Sequence, residues 1–263
     1  MQLLEKEFDN RESLVDYVKH LAPWASGNES DILGDRKIAQ AKLGKIDPVK
    51  YANTRNYGDG KVTKLSPYIH HGILSLNEVR NQALTKCNQP AQIYKFIQEL
   101  AWRDFWQHML ASHPNLAWQD AEPYKTGFSA WDYADILPGD ISEGKTNVAC
   151  LDAFIQELIT TGYIHNHARM YLASYIVHFR RVKWQAGAKW FLEHLLDGDI
   201  ASNNLSWQWV ASTFSHKPYI FNLENVDKYF GKLVDTSPLT NQILHASYES
   251  ISQSLFPNMG SSK

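Results

Sequence analysis

Sulfur is scarce in this chain. Two cysteines, Cys87 and Cys150, stand in 263 residues, too few for a disulfide scaffold, a four-thiolate zinc site or a four-thiolate iron–sulfur cluster. They fit a reducing, cytoplasmic setting. No charge of one sign dominates: 26 Lys and Arg face 28 Asp and Glu, a net charge of -2. There is thus no global basic field, and any nucleic-acid site has to be a local patch. No apolar run approaches membrane-spanning length, so no membrane partner is expected. The opening MQLLEKEFDN is acidic and lacks the basic-then-apolar order of a secretory signal. Alternating strand patterns and internal repeats are missing too. The biases of disordered, collagen-like and coiled-coil chains are absent. What is present is 44% hydrophobic residues, enough for a sizeable core, and nine tryptophans among 13% aromatics. Aromatics in that number serve as core, as stacking surfaces or as electron carriers.

From Leu4 to about Thr240 the sequence has helical periodicity with short polar breaks. Ser75-Leu76-Asn77-Glu78 is a capping box that opens a helix to about Lys86. Ser66-Pro67 puts a capping hydroxyl before a proline at the first helical position, with Gly72 ending that short helix. Longer helices are predicted over Ala91–Ser112, stopped by Pro114, and over Asp152–Thr161, closed by Gly162. Asn166–Arg181 and Ala186–Leu196 follow, and another helix starts near Asn203. Trp118–Asp140, rich in Pro, Gly and acids, reads as a long surface excursion. The expectation is one all-α domain over residues 1–240 and a loosely held polar tail over 241–263.

Several clusters carry chemistry. Asp197-Gly198-Asp199 sets two carboxylates about a flexible residue, which suits a divalent metal, a polar cofactor, an arginine or a solvated helix end. His165-Asn166-His167 is spaced wrongly for a bidentate metal site on a helix. Amides in Asn203-Asn204-Leu205-Ser206-Trp207-Gln208-Trp209 need partners if buried beside two indoles, and a heteroaromatic ligand would supply them. Glu99 has both Trp102 and Arg103 as helical-surface neighbours, the pattern of an ion pair beside a core indole. Thr63-Lys64-Leu65-Ser66 ends at a helix start, where free N–H groups favour an anion. Arg180-Arg181-Val182-Lys183 suits a helix C-terminus or a phosphate backbone.

The order of these pieces is more specific than any one of them. Tyr51-Ala52-Asn53-Thr54-Arg55, Thr63 through Tyr68, Gln98 through Phe105, Glu143-Gly144-Lys145-Thr146, His165 through Met170 and Asp197 through Trp209 occur in that sequence. Together they resemble the C-terminal, FAD-binding half of the photolyase/cryptochrome family over roughly Asp35 to Asn222. The resemblance implies an all-α photolyase/cryptochrome FAD-binding helical domain around a U-shaped FAD, and it replaces the metal reading of the carboxylate pair.

Residue by residue, the resemblance implies that Tyr51, Thr63, Leu65 and Ser66 hold the cofactor's phosphates and sugar and that Arg103 reaches it from the long helix. Arg169 and Asp197 match the ion pair over the flavin, Asp199 the acceptor for its ring N–H, and Asn203 the residue facing flavin N5. Photolyases usually have Asn there, plant cryptochromes Asp and animal light sensors Cys, so the neutral amide points toward a stable reduced flavin and repair. Trp131, Trp184 and Trp207 match a tryptophan chain that carries electrons inward. Glu99, Trp102, Asn166, Met170 and Trp209 match the pocket for a flipped-out pyrimidine dimer.

There are departures. No antenna segment precedes the resemblance, so a second chromophore is not expected, and His167 stands where many dimer photolyases have Arg. Asn147 and Ala149 replace a common Gly and Pro, and the match fades after Asn222. The leading expectation is light-driven repair of pyrimidine dimers in single- or double-stranded DNA by reduced FAD. A cryptochrome-like blue-light sensor is the alternative, and a light-independent flavoprotein is a third.

Overall fold

The protein is described from a computed structural model over residues 3–24 and 29–259. The described residues form thirteen α-helical segments and no sheet. The chain separates into two compact units, one ending at Leu33 and one starting at Gly34, where the sequence predicts a single domain over 1–240. The first unit holds the helix Arg11–Leu21, which buries none of its residues and is capped by Asn10 Oδ1 accepting from Ser13 N at 2.9 Å.

In the second unit, local chemistry sets several helix ends as the sequence predicts, although the helix read from Asp152 begins at Ala149. Leu76–Thr85 opens on the Ser75–Glu78 box, with both reciprocal hydrogen bonds present. Pro90–Ser112 has its proline in the first turn and ends before Pro114. Ala149–Thr161 closes on Gly162 at φ +69°, the left-handed conformation glycine adopts without a Cβ clash. The core gathers about Leu151, Phe154, Tyr171, Ile176, Trp184, Phe191 and Phe221, all buried. Each such side chain contributes about 1.5–3 kcal/mol on leaving water.

Three elements differ from expectation. The helix predicted over Asn166–Arg181 is α-helical only over Asn166–Ser174 and widens to a π turn at Tyr175–Phe179, with Arg180 N donating to Tyr175 O at 3.0 Å. Tyr175, Ile176, Val177 and His178 are consecutive and all buried, so no single helical stripe accommodates them. The surface excursion is partly internal. Tyr124 and Tyr133 stack at 4.3 Å, and Ala134 makes a parallel bridge with Val182. The expected loose tail is packed over its described part: Asn241 Oδ1 accepts Cys150 N at 3.0 Å, and Leu244, Ile251 and Phe256 are buried.

Candidate cofactor and substrate cavity

A cavity of about 550 Å³ opens between the helices Pro48–Thr54, Pro90–Ser112, Asn166–Ser174 and Ile200–Ala211, within the size range of cofactor sites. Of the predicted cofactor residues, Tyr51, Thr63, Leu65 and Ser66 line one side. Arg103, Arg169, Asp197 and Asn203 line the rest. Asp199 does not line it. Its Oδ1 caps the helix Ile200–Ala211 by accepting Ser202 N at 2.8 Å, and its Oδ2 accepts from Gln107 at 2.7 Å with Arg103 3.6 Å away. The sequence instead suggests a helix beginning near Asn203.

Asp197 is buried and paired through Oδ2 with Arg169 at 3.0 Å. Burial raises its carboxyl pKa, but the Arg169 guanidinium and its hydrogen bond outweigh that and hold it below its ordinary value. Its other oxygen, Oδ1, is buried without a protein partner, as are Ser202 Oγ and Trp207 Nε1. Arg169 lies over the Tyr163 ring at 5.5 Å, and Lys64 over the same ring at 5.4 Å. Lys64 reaches this place from φ +51°, a strained backbone for a residue with a Cβ. Burial, with Glu99 adding to it, pushes the Tyr51 phenol up to about 12, so it remains a donor. The Ser66 hydroxyl is not the helix cap the sequence predicts: the helix Ser66–His70 has Leu65 at its N-cap position and no side-chain cap.

The amides divide their work. Asn203 donates to Ala188 O and to Asn204 Oδ1, at 3.0 and 2.9 Å, which leaves its Oδ1 as the acceptor available to the cavity. Asn204 and Gln208 do not wait for a ligand. Asn204 donates to Ala117 O at 2.5 Å, and Gln208 donates to Leu116 O at 2.8 Å and Gln119 O at 3.1 Å while accepting from Ala121 N at 2.9 Å. These side chains clamp the segment 116–121.

Glu99, Trp102, Asn166, Met170 and Trp209 all line the same cavity. Glu99 pairs with Arg55 at 3.2 Å and Lys95 at 2.9 Å, not with Arg103 as helical spacing suggests. Trp102 is not core: it is 42% exposed and stacks on Trp106 at 5.4 Å, while Trp209 is 41% exposed beside Tyr219. Two half-exposed indoles therefore face one opening.

Trp207 lines the cavity, Trp184 is fully buried and Trp131 is 90% exposed. A Cβ on Gly187 would fall 2.2 Å from the Trp207 ring, so that ring packs on bare backbone one turn along the helix from Trp184. The indole N–H of Trp184 donates to Asp120 at 2.6 Å.

The basic run is committed inside the protein. Arg180 forks onto Asp140, Arg181 stacks on Phe128 at 3.5 Å, and Lys183 pairs with Asp135 at 2.6 Å. His165 accepts His167 N, and the His167 ring donates to Asn56 O at 3.1 Å, so both histidines brace the chain. Among the described residues no group of three or more His, Cys, Asp or Glu is placed to hold a metal, and no helix is long and apolar enough to cross a membrane. Arg55, Lys95, Tyr163 and Ser202 line the cavity without having been predicted there. Arg55 closes the quoted Tyr51–Arg55 motif, whereas nothing local marks Tyr163.

An all-helical domain built around a deep cavity, with an ion pair at its floor and indoles at its mouth, defines a cofactor-binding helical domain. Residues 96–236 match the model of the FAD-binding domain of DNA photolyase, and the chain belongs to this family. It is 35% identical to the deoxyribodipyrimidine photo-lyase of Streptomyces griseus over 201 residues, 75% of this chain and 42% of that protein. With the enzyme of the same name from Vibrio cholerae it shares 34% over 235 residues, 80% of this chain and 46% of that one. The chain thus spans less than half the length of these relatives. An archaeal photolyase from Sulfolobus tokodaii, solved with two FAD molecules, superposes with a TM-score of 0.68 at 23% identity, covering 92% of this chain and 59% of that one. A Synechocystis cryptochrome superposes with a TM-score of 0.66 at 21% identity, covering 89% and 54%, and shares the fold.

Proposed function

We propose that the cavity binds FAD and that the protein uses it to split pyrimidine dimers in DNA under light. The observation that carries this reading is the Arg169–Asp197 pair, with the buried Asp197 leaving its Oδ1 unpartnered at the cavity floor. A flavin edge carries ring N–H and carbonyl groups, and the unpartnered set here offers an acceptor, a hydroxyl and an indole donor, so the residues fit the group. When bound and reduced, the flavin supplies a light-absorbing one-electron donor.

The chain's own residues do the rest. Asp197, Arg169 and Asn203 orient the ring, and Thr63, Ser66 and Arg103 hold the remainder of the cofactor. Asn203 offers a neutral acceptor that cannot give up an acidic proton. Trp102 and Trp209 stack the two joined bases of a flipped-out pyrimidine dimer between aromatic faces, and Glu99, held by Arg55 and Lys95, accepts from a pyrimidine edge. Trp207, Trp184 and Trp131 relay electrons from the surface toward the cavity. The names of the Streptomyces griseus and Vibrio cholerae relatives support the reading.

The deciding experiment is repair of ultraviolet-irradiated oligothymidine, single-stranded and annealed, with and without blue light. Restored thymidine only under light is the expected result. A preparation that binds FAD and photoreduces, yet neither binds nor repairs the lesion in either form, would make it a light sensor.

A further inference from the structure

We propose that Trp184 is a branch point with two surface exits, Trp131 and Trp118, the second lying outside the three-indole relay. This rests on the relay reading above. The Trp118 and Trp184 rings are 6.5 Å apart and within 5° of parallel. That is the stacked arrangement in which π orbitals face each other. Trp184 is fully buried and Trp118 is 43% exposed, so the stack leads from core to solvent in one step.

The stack is held from both sides. Trp118 sits in the clamped segment: Ala117 O is taken by Asn204, Gln119 O and Ala121 N by Gln208, and Trp118 O by Gln185 at 3.3 Å. Asp120, two residues on, accepts from the Trp184 indole N–H at 2.6 Å and from Gln185 at 3.2 Å. Six hydrogen bonds to four helix-borne side chains, Asn204, Gln208, Gln185 and Trp184, thus fix the segment that carries one indole. A surface tryptophan serving only as cover could rest on the core without such fixing.

Electrostatics weighs on the other exit. The Asp120 carboxylate beside the Trp184 indole N–H eases the oxidation of Trp184 whichever exit follows. Over Trp131, by contrast, the Lys183 ammonium stands 5.7 Å from the ring centre. Its pairing with Asp135 at 2.6 Å offsets only part of its repulsion toward a hole. Each step moves one electron. With oxidised FAD bound and excited, Trp207 would give it one electron, and the Trp207 radical cation would then oxidise Trp184. Trp184 is then reduced by Trp118 or Trp131, whichever indole is left oxidised losing its N–H proton to water. An added thiol returns a hydrogen atom to the neutral indole radical and becomes a thiyl radical.

The test compares photoreduction in the flavin-loaded parent, Trp131→Phe, Trp118→Phe, the double variant and Trp184→Phe. Trp131→Phe should slow photoreduction by no more than about threefold, and adding Trp118→Phe should cost at least about tenfold more, a non-additivity diagnostic of parallel exits. If Trp131→Phe alone is as slow as the double variant, Trp118 is no exit. If Trp184→Phe photoreduces like the parent, the relay itself is wrong, a separate outcome. Two readouts do not depend on turnover. Illumination with a nitroso spin trap, followed by peptide mass spectrometry, should place an adduct on Trp118 in Trp131→Phe, and its absence there would overturn the branch. Near-ultraviolet circular dichroism of the flavin-free protein should show an exciton couplet lost in both Trp118→Phe and Trp184→Phe, and a couplet that survives Trp118→Phe would refute the stack.

Discussion

At the scale of single residues, the cavity floor is built on charge that cannot be removed singly. Asp197→Ala strands Arg169, whose remaining access to water limits the cost to about 2–3 kcal/mol. It should lower both the urea midpoint and the flavin retained through gel filtration. Asp197→Asn keeps the shape but loses the charge, so retention should fall while the fold stays closer to the parent. Gly187 shows a second dependence, of space. Gly187→Ala would drive a methyl into the Trp207 ring, an overpacking cost of about 1–3 kcal/mol. Thermal melts should show the loss, and Trp207→Phe should relieve part of it. At the mouth, Trp209→Ala removes one aromatic wall. Lesion affinity in a fluorescence anisotropy titration should fall by about one to two orders of magnitude, with flavin content unchanged.

At the scale of elements, the helix Ile200–Ala211 serves two masters: Asn203, Trp207 and Trp209 face the cavity, while Asn204 and Gln208 tie down the segment 116–121. Gln208→Leu would leave the carbonyls of Leu116 and Gln119 and the N–H of Ala121 unpartnered, each costing about 1–3 kcal/mol if water cannot reach it. Hydrogen exchange should quicken across 116–121 and leave Ala149–Thr161 protected. How much of this was legible in the sequence follows from how local each cause is. Ser75 with Glu78, Pro114 and Gly162 lie within a turn of what they control, so those helix ends were read correctly. The π turn was not, because it answers to four buried neighbours that only tertiary packing supplies. Gln208 was seen as an amide in need of partners, but its partner Ala121 N lies 87 residues away. Glu99 was paired with Arg103 by spacing, whereas Arg55 arrives from another helix. The cavity's predicted residues fell together because their order carried the family's pattern; Asp199, an Asp three residues before Ser202, carried a readable capping signal that the carboxylate pair obscured.

At the scale of the whole molecule, acid should unfold this protein earlier than its carboxylates require. Burial drives His165 and His178 down to about 4, so both are neutral in the folded state. In the unfolded chain they protonate near 6.5. Between those values the unfolded state binds more protons, so stability falls as pH drops from about 6.5 to about 4. Asp197, with its depressed pKa, contributes stability that is lost only at lower pH, below the ordinary carboxylate value. Melting temperatures followed from neutral pH to about 4 should decline with a slope that His178→Gln reduces. A flat profile would show that these rings take up protons equally in the folded and unfolded states. The same contrast between buried and exposed surroundings has an optical side. Trp207 is buried with its indole N–H away from any protein partner, whereas Trp131 stands in water. Excited indole relaxes in energy only as far as its surroundings can reorient, so Trp207 should emit at the blue edge and Trp131 at the red edge of the fluorescence band. Each end of the proposed relay thus carries its own colour, and energy transfer to a bound flavin should dim the blue edge first.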